Sequence, residues 1–319
     1  MRAYALKRIG LVIPTLVLVS IIIFVAMRVL PGDPAVLKLI GLDGEGSYTA
    51  ADLAKVKAEL GTDRPLLAQY GTWVWGVVRG DFGKSFWYGI PVMREVKQRF
   101  PVTLELAMFA ILIAVLLAVP LGVLSAIKQD TWIDYATRVF TISGVALPTF
   151  WIGILVIFSM ARWLHWLPPL GYATPWEDPW TNFKQLIFPA LALGFHDVAF
   201  IARVTRSAML EVLREDYVRT ARAKGLTERT VFFVHALKNS FLPVVTVSGW
   251  QFGRLMGGVV LIEAIFVVPG TGSLLIESVS NRDFTMIQAL ILVAAIVVLA
   301  VNLLVDLAYG WLDPRIRYS

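Results

Sequence analysis

The chain has 319 residues, of which 57% are hydrophobic and only 16% charged, and its mean hydropathy is +0.70. Soluble domains carry roughly 25% charged residues, so this composition excludes an ordinary soluble globule and implies a surface that largely meets lipid. The absence of cysteine excludes structural disulfides, thiolate catalysis and cysteine-ligated zinc. The net charge of +6 sits at the ends of apolar segments, not in the aromatic-interleaved stripes that bind nucleic acid.

A membrane-crossing helix needs about 20 mostly apolar residues. The first such segment lies near 9–30, after a basic start at Arg2, Lys7 and Arg8. Its length, and the lack of a following Ala-x-Ala site, predict an uncleaved anchor and not a removable signal peptide. Pro31-Gly-Asp-Pro34 then stops the helix and turns the chain into a long outer loop. Within that loop, 50–60 has the pattern of an amphipathic helix closed by Gly61. Residues 66–78 are too few and too rich in Gly and Trp for a span, and are expected at the interface or against the bundle. A further short helix is expected over 90–100.

Further spans are predicted near 103–127, 135–164 (broken by Pro148), 185–212, 240–268 and 285–311. The expected fold is an all-α membrane bundle of six spans. Its expected divisions are 1–30 (N-terminal segment and first span), 31–101 (extracytoplasmic loop) and 102–319 (core, with a polar loop at 214–238). Basic residues at the N-terminus, at Lys128 and Arg138, along 203–238 and at Arg315 and Arg317 would share one side, which should be cytoplasmic together with both termini. Arg94, Lys97 and Arg99 fall on the other side, but long loops translocate largely regardless of charge.

Polar residues are few enough to examine singly. The segment 215–243 is basic and helix-prone between two apolar stretches. Gly225 suits the end of a short helix and Thr227 the start of another. Ala221 and Ala223 would keep the first helix thin enough for another surface to approach, with Tyr217, Arg219, Thr220, Arg222 and Lys224 around them. The plain reading is a loop held inside by its charge. The tripeptide Gly83-Lys-Ser85 lacks the glycine five positions earlier that a phosphate loop needs, since Val78 stands there. Gly249, Gly253 and Gly257 repeat at four-residue spacing and would let a helix pack closely. Gln251, Arg254 and Glu263 are the candidates for lining a pathway, because polar groups at such depth face the bundle interior or water. His196-Asp197 is a further intramembrane pair, suited to a structural hydrogen bond or to a proton relay. Asn302 and Asp306 share a helix face. His165, His196 and His235 form no zinc-binding pattern, and no nucleophile turn occurs, so neither a metal site nor a hydrolase is indicated.

Tyr217-Val-Arg-Thr-Ala-Arg-Ala-Lys-Gly-Leu226, followed by His235-Ala-Leu-Lys-Asn and Leu242-Pro-Val-Val, resembles the coupling loop of binding-protein-dependent ABC importer permeases. The general family form is Glu-Ala-Ala, three residues, then Gly. Here Arg219, Thr220 and Ala221 occupy the first three places, and Pro243 lies farther from Gly225, as in the peptide-permease branch. Met27-Arg-Val-Leu-Pro-Gly-Asp-Pro34, Gly80-Asp-Phe-Gly-Lys-Ser85, Thr103-Leu-Glu-Leu106, Val268-Pro-Gly-Thr-Gly272, Arg282-Asp283 and Asp313-Pro-Arg-Ile-Arg-Tyr318 extend the resemblance over the whole chain. It is nearest to the first of the two permease subunits, the one with the long outer loop.

The resemblance implies a non-catalytic inner-membrane subunit of an ATP-driven peptide importer. Its partners would be a second homologous permease, two ATP-binding cassette subunits and an extracytoplasmic solute-binding protein. ATP and magnesium would be held by the ATPases, with no cofactor in this chain. Tyr217 to Gly225 would dock on an ATPase. Similar subunits carry nickel complexes, glutathione or oligosaccharides, and a proton-coupled secondary transporter using His196, Asp197, Arg254 and Glu263 is the competing class.

Overall fold

The computed structural model describes residues 2–29, 32–41 and 46–312; Pro31 and the 313–318 motif, with Arg315 and Arg317, lie outside them. The helices in chain order are α1 (Arg2–Val29), α2 (Pro34–Ile40), α3 (Ala50–Leu60), α4 (Leu66–Val78), α5 (Val92–Ile127), α6 (Trp132–Ala146) and α7 (Thr149–Ser159). They continue with α8 (Pro179–Val212), α9 (Asp216–Ala223), α10 (Glu228–Thr230), α11 (Leu237–Gly258), α12 (Val260–Phe266), α13 (Thr271–Ser280) and α14 (Phe284–Leu312). One isolated bridge, Lys84 to Pro91, is the only extended pairing among the described residues.

Among the described residues, five helices are long and apolar enough to cross a membrane, over Arg8–Val29, Val92–Ile127, Pro179–Val212, Glu228–Gly257 and Phe284–Ala308. Two bent pairs accompany them. Trp132–Ala146 and Thr149–Leu164 meet at 106°, and Val260–Phe266 and Thr271–Ser280 at 88°. The first bend falls at Pro148, which has no amide hydrogen to continue the ladder of α6. The second departs from the sequence expectation: what reads as the end of a fifth span leaves the helix at Val267 (φ 55°) and folds back.

The centre of the bundle is the α5–α8 seam. Ala107, Ala110, Ala114 and Ala118 of α5 are all fully buried, as are Ala190, Ala199 and Ala202 of α8. A Cβ on Gly194 would lie 2.7 Å from the Ala110 carbonyl oxygen, and one on Gly122 would lie 2.6 Å from that of Ala202. Small residues therefore let the two backbones touch, the arrangement that drives helix association in lipid. In α11, Gly249 faces Val305 and Gly253 faces Asn302 and Val301 of α14, whereas Gly257 faces open space. Two of the three glycines thus serve packing within the chain.

Between α1 and α5, the short helices begin and end on local capping signals. Thr49 and Asp52 form a reciprocal cap on α3, and Gly61 ends it in the left-handed region. Helix α4 lies along α1: Ser20 Oγ and Tyr70 Oη are 2.8 Å apart, and Phe24 meets Tyr70 edge-on at 5.4 Å. Arg28, tilted over the Phe24 ring, donates to Gln69 at 2.9 Å. The helix expected over 90–100 is the start of α5, which runs unbroken through Pro101 and so crosses the expected 101/102 division. Residues 80–86 are sewn to the start of α14. Asp283 accepts from Ser85 Oγ (2.6 Å) and from the Phe86 amide (2.9 Å), and Trp87 donates to the Asn281 carbonyl. Two motifs nearly 200 residues apart in the chain are therefore one junction, and Gly83–Ser85 belongs to it. A second strap is the turn before α8, where Gln185 and Asn182 bond the Ala173 backbone and Tyr172 donates to Glu105. Burial, reinforced by the Glu105 carboxylate, holds the Tyr172 phenol well above its ordinary pKa.

Candidate functional site

The polar protrusion after α8 forms because Leu213, Arg214 and Glu215 break the helix and α9 starts with its N-terminal turn at Asp216. Val218 and Ala221 are buried against Val231 and, beyond it, Val212 and Leu213. That small core clamps α9 to its own chain and decides which face is free. Tyr217, Arg219, Thr220, Arg222, Ala223 and Lys224 are exposed. Ala221 turns inward, so of the two alanines only Ala223 leaves room for another surface. Arg222 is held by Glu228 at 2.9 Å and Arg219 by Asp216 at 3.3 Å. Tyr217 Oη accepts from Asn239 at 2.8 Å, tying α9 to α11. Gly225 has φ 78° and Thr227 accepts from the Thr230 amide, the two turn roles expected of them. Because a β-branched residue is strained at positive φ, Gly225→Val is expected to cost about 1–2 kcal/mol. It should speed tryptic cleavage at Arg222 and Lys224 in the purified protein; unchanged cleavage would show that the turn does not hold α9.

Just inside the protrusion sits a fully buried carboxylate, Asp134. It accepts from Ser125 Oγ of α5 (2.6 Å), the Asp130 amide (3.0 Å), Arg138 of α6 (2.6 Å) and Arg206 of α8 (2.7 and 2.9 Å). Three helix ends meet on one side chain, and Arg206, its partner on α8, is ten residues before the start of α9 at Asp216. In the sequence Arg138 and Arg206 read only as basic flanks, and Asp134 does not stand out. The available signal was an acid four residues before an arginine at the edge of an apolar run, where an unpaired charge is costly.

Deeper in the bundle, Asp197 near the middle of α8 is also fully buried. Its Oδ1 accepts from Gln251 Nε2 (2.8 Å) and Arg254 Nη2 (2.5 Å), and Gln251 Oε1 accepts from Arg254 Nε (3.1 Å). His196 Nδ1 lies 3.0 Å from Arg254 Nη2. Of the three residues expected along a pathway, Gln251 is 1% exposed and Glu263 is 0% exposed, whereas the Arg254 side chain is 41% exposed. In this conformation Arg254 alone reaches the surface of the chain. Glu263 instead builds the fold-back: it accepts from Thr103 Oγ1 (2.6 Å) and from the Gly272 and Ser273 amides (2.7 and 3.0 Å) at the start of α13. Asp306 pairs with Arg8 at 3.1 Å, which ties α14 to α1. No group of three His, Asp or Glu able to hold a metal occurs among the described residues.

A helical bundle with several membrane-crossing segments and a clamped basic helix at one end defines a polytopic membrane protein. Residues 118–318 match the family described as binding-protein-dependent transport system inner membrane component, and residues 1–107 match the N-terminal family of the same membrane components. The chain belongs to this family of inner-membrane permease components. It is 40% identical to the dipeptide transport system permease protein DppB of Escherichia coli K12, over 344 aligned positions that cover all of both chains. It is 39% identical to the DppB of Alkalihalophilus pseudofirmus, again over the whole of each. The inward-facing MetNI methionine ABC transporter is similar in fold, with TM-score 0.57 and 16% identity over 69% of this chain and 97% of that one.

Proposed function

We propose that this chain is one half of the membrane channel of an ATP-driven peptide importer. Peptide cargo is supported by the full-length similarity to dipeptide permeases. A second permease subunit completes the channel, two ATPase subunits bind ATP and magnesium, and a soluble binding protein delivers cargo at the outer face. Both termini and the protrusion lie on the cytoplasmic side, in keeping with the basic residues there. The first bent pair serves as the third of six spans, and the α12–α13 pair stays at the outer face. The segment between α1 and α5 forms the extracytoplasmic subdomain, and α5 leads from it into the core.

The observation that carries this reading is the exposed face of α9 on a helix clamped to the ends of α8 and α11. A rigid attachment lets movement of a docked ATPase tilt two spans together, so that ATP binding favours one channel state over the other. The chain itself performs no covalent chemistry.

The test is reconstitution of this chain with its partners in vesicles. ATP-driven peptide uptake that requires the binding protein and every subunit is expected; uptake by this chain alone, dependent on a proton gradient, would overturn the reading. Within the same system, Ala223→Trp should lower ATPase co-purification about tenfold or more, because bulk in a close-packed contact is costly. The Val218–Ala221–Val231 core is untouched by that change, so normal membrane insertion is expected. Normal co-purification would remove α9 from the docking surface.

A further inference from the structure

The exposed stripe of the α11–α12 region runs Trp250, Arg254, Gly257, Leu261. Trp250 and Leu261 are 55% and 52% exposed. A guanidinium in that stripe, within the membrane-crossing segment, is costly against hydrocarbon. Nor can Arg254 reach toward the membrane surface, since Nε and Nη2 are tied inward to Gln251 and Asp197. This face therefore opens on water or protein.

The bonding around Arg254 sets what it can accept. Asp197 Oδ2 is buried without a hydrogen-bond partner among the described residues, so Arg254 is the positive charge that offsets this carboxylate, and releasing it would strand a buried anion. His196 Nδ1 lies 3.0 Å from Arg254 Nη2 and 3.4 Å from Asp197 Oδ1; arginine has no acceptor, so the shorter contact makes Nδ1 the acceptor and places the imidazole proton on Nε2. His196 is partly exposed, at 23%. Two donors are left without partners among the described residues: Arg254 Nη1 and His196 Nε2. Asp197 is fully buried and Gln251 Oε1 is engaged by Arg254 Nε, so neither of these acceptors is offered at the surface.

We propose that Arg254 Nη1 and His196 Nε2 form a carboxylate-binding site inside the membrane, which receives the free C-terminus of a peptide in transit. The inference rests on the importer reading above. A donor-only pair suits a carboxylate and rejects an ammonium group, so it also sets which end of the cargo engages. The Asp197 charge already half-satisfies the guanidinium, which keeps the site weak enough to release what it holds. A carboxylate of the second permease subunit has the same chemistry and is the occupant the experiment must separate.

The assembled complex, purified without the binding protein, is titrated into dialanine carrying a 13C carboxyl label, and line broadening is read by NMR. Broadening is expected for the free acid and not for dialanine amide labelled at its carboxamide carbon. Arg254→Gln alone strands Asp197, so the informative variant is Arg254→Gln with Asp197→Asn, which removes both charges together. It should weaken broadening about tenfold, the order of one lost charge-assisted hydrogen bond. Arg254→Lys, which keeps a charged donor but not the fork, should fall between. Equal broadening of acid and amide, no broadening at all, or an undiminished signal from the double variant would each overturn the site. Loss of the second permease from the double variant would assign Arg254 to the subunit interface and also overturn it. ATP-driven uptake by the wild-type complex is measured in parallel: uptake without a carboxylate effect defeats only this inference, whereas no uptake defeats the importer reading.

Discussion

Asp134→Ala is expected to weaken the end of the bundle next to α9 by about 3 kcal/mol, the order of a buried charge pair broken from one side. Removing the carboxylate leaves the Arg206 guanidinium, only 18% exposed, without its two hydrogen bonds and frees Ser125 and the Asp130 amide. The helix ends of α5, α6 and α8 then lose their shared anchor at the point where α8 hands over to α9. Thermal inactivation of the purified complex should come at a clearly lower temperature, and uptake should fall further than ATPase co-purification does. Asp134→Asn keeps the volume and one acceptor but not the charge, and should lie between. Wild-type stability in Asp134→Ala would mean that the three helix ends hold together without this side chain.

The second large effect is expected at the fold-back between α12 and α13. A methyl group on Gly270 would overlap the Glu263 carboxylate, although the backbone there (φ −96°, ψ −174°) is open to any residue. Gly270→Ala must therefore push Glu263 away from the Gly272 and Ser273 amides and from Thr103. Glu263→Ala removes the same bonds directly. Each lost partner leaves a buried polar group unsatisfied, at about 1–3 kcal/mol apiece. Either change should lower the yield of folded protein and expose 267–273 to proteolysis. The pair should be no worse than the harsher single change, because both break one contact set. Additive losses would show that Gly270 and Glu263 act separately.

Several elements could be read in the sequence to the residue. The amphipathic pattern over 50–60 is α3, and the Gly- and Trp-rich stretch over 66–78 is α4, packed on α1. Gly225 and Thr227 do what their chemistry implies, since turn and cap preferences are local. Span ends were less legible: a span read from 185 starts at Pro179, and one read to 268 is broken at Val259 and turned back at Val267. Hydropathy averages over a window and carries no direction, so a reversal inside an apolar run leaves no mark on it.

What the amino-acid order determined by itself was which segments enter lipid and where helices begin and turn, because both follow from transfer cost and backbone preference within a few residues. Only the tertiary structure decided what each polar side chain does. Asp134 finds Arg206 seventy-two positions away, Ala221 turns toward Val231 and away from any partner, and Glu263 is spent on its own fold while Arg254 is left at the surface. Burial and pairing depend on which helices become neighbours, and in a bundle that is set by close packing of small residues between segments far apart in the chain.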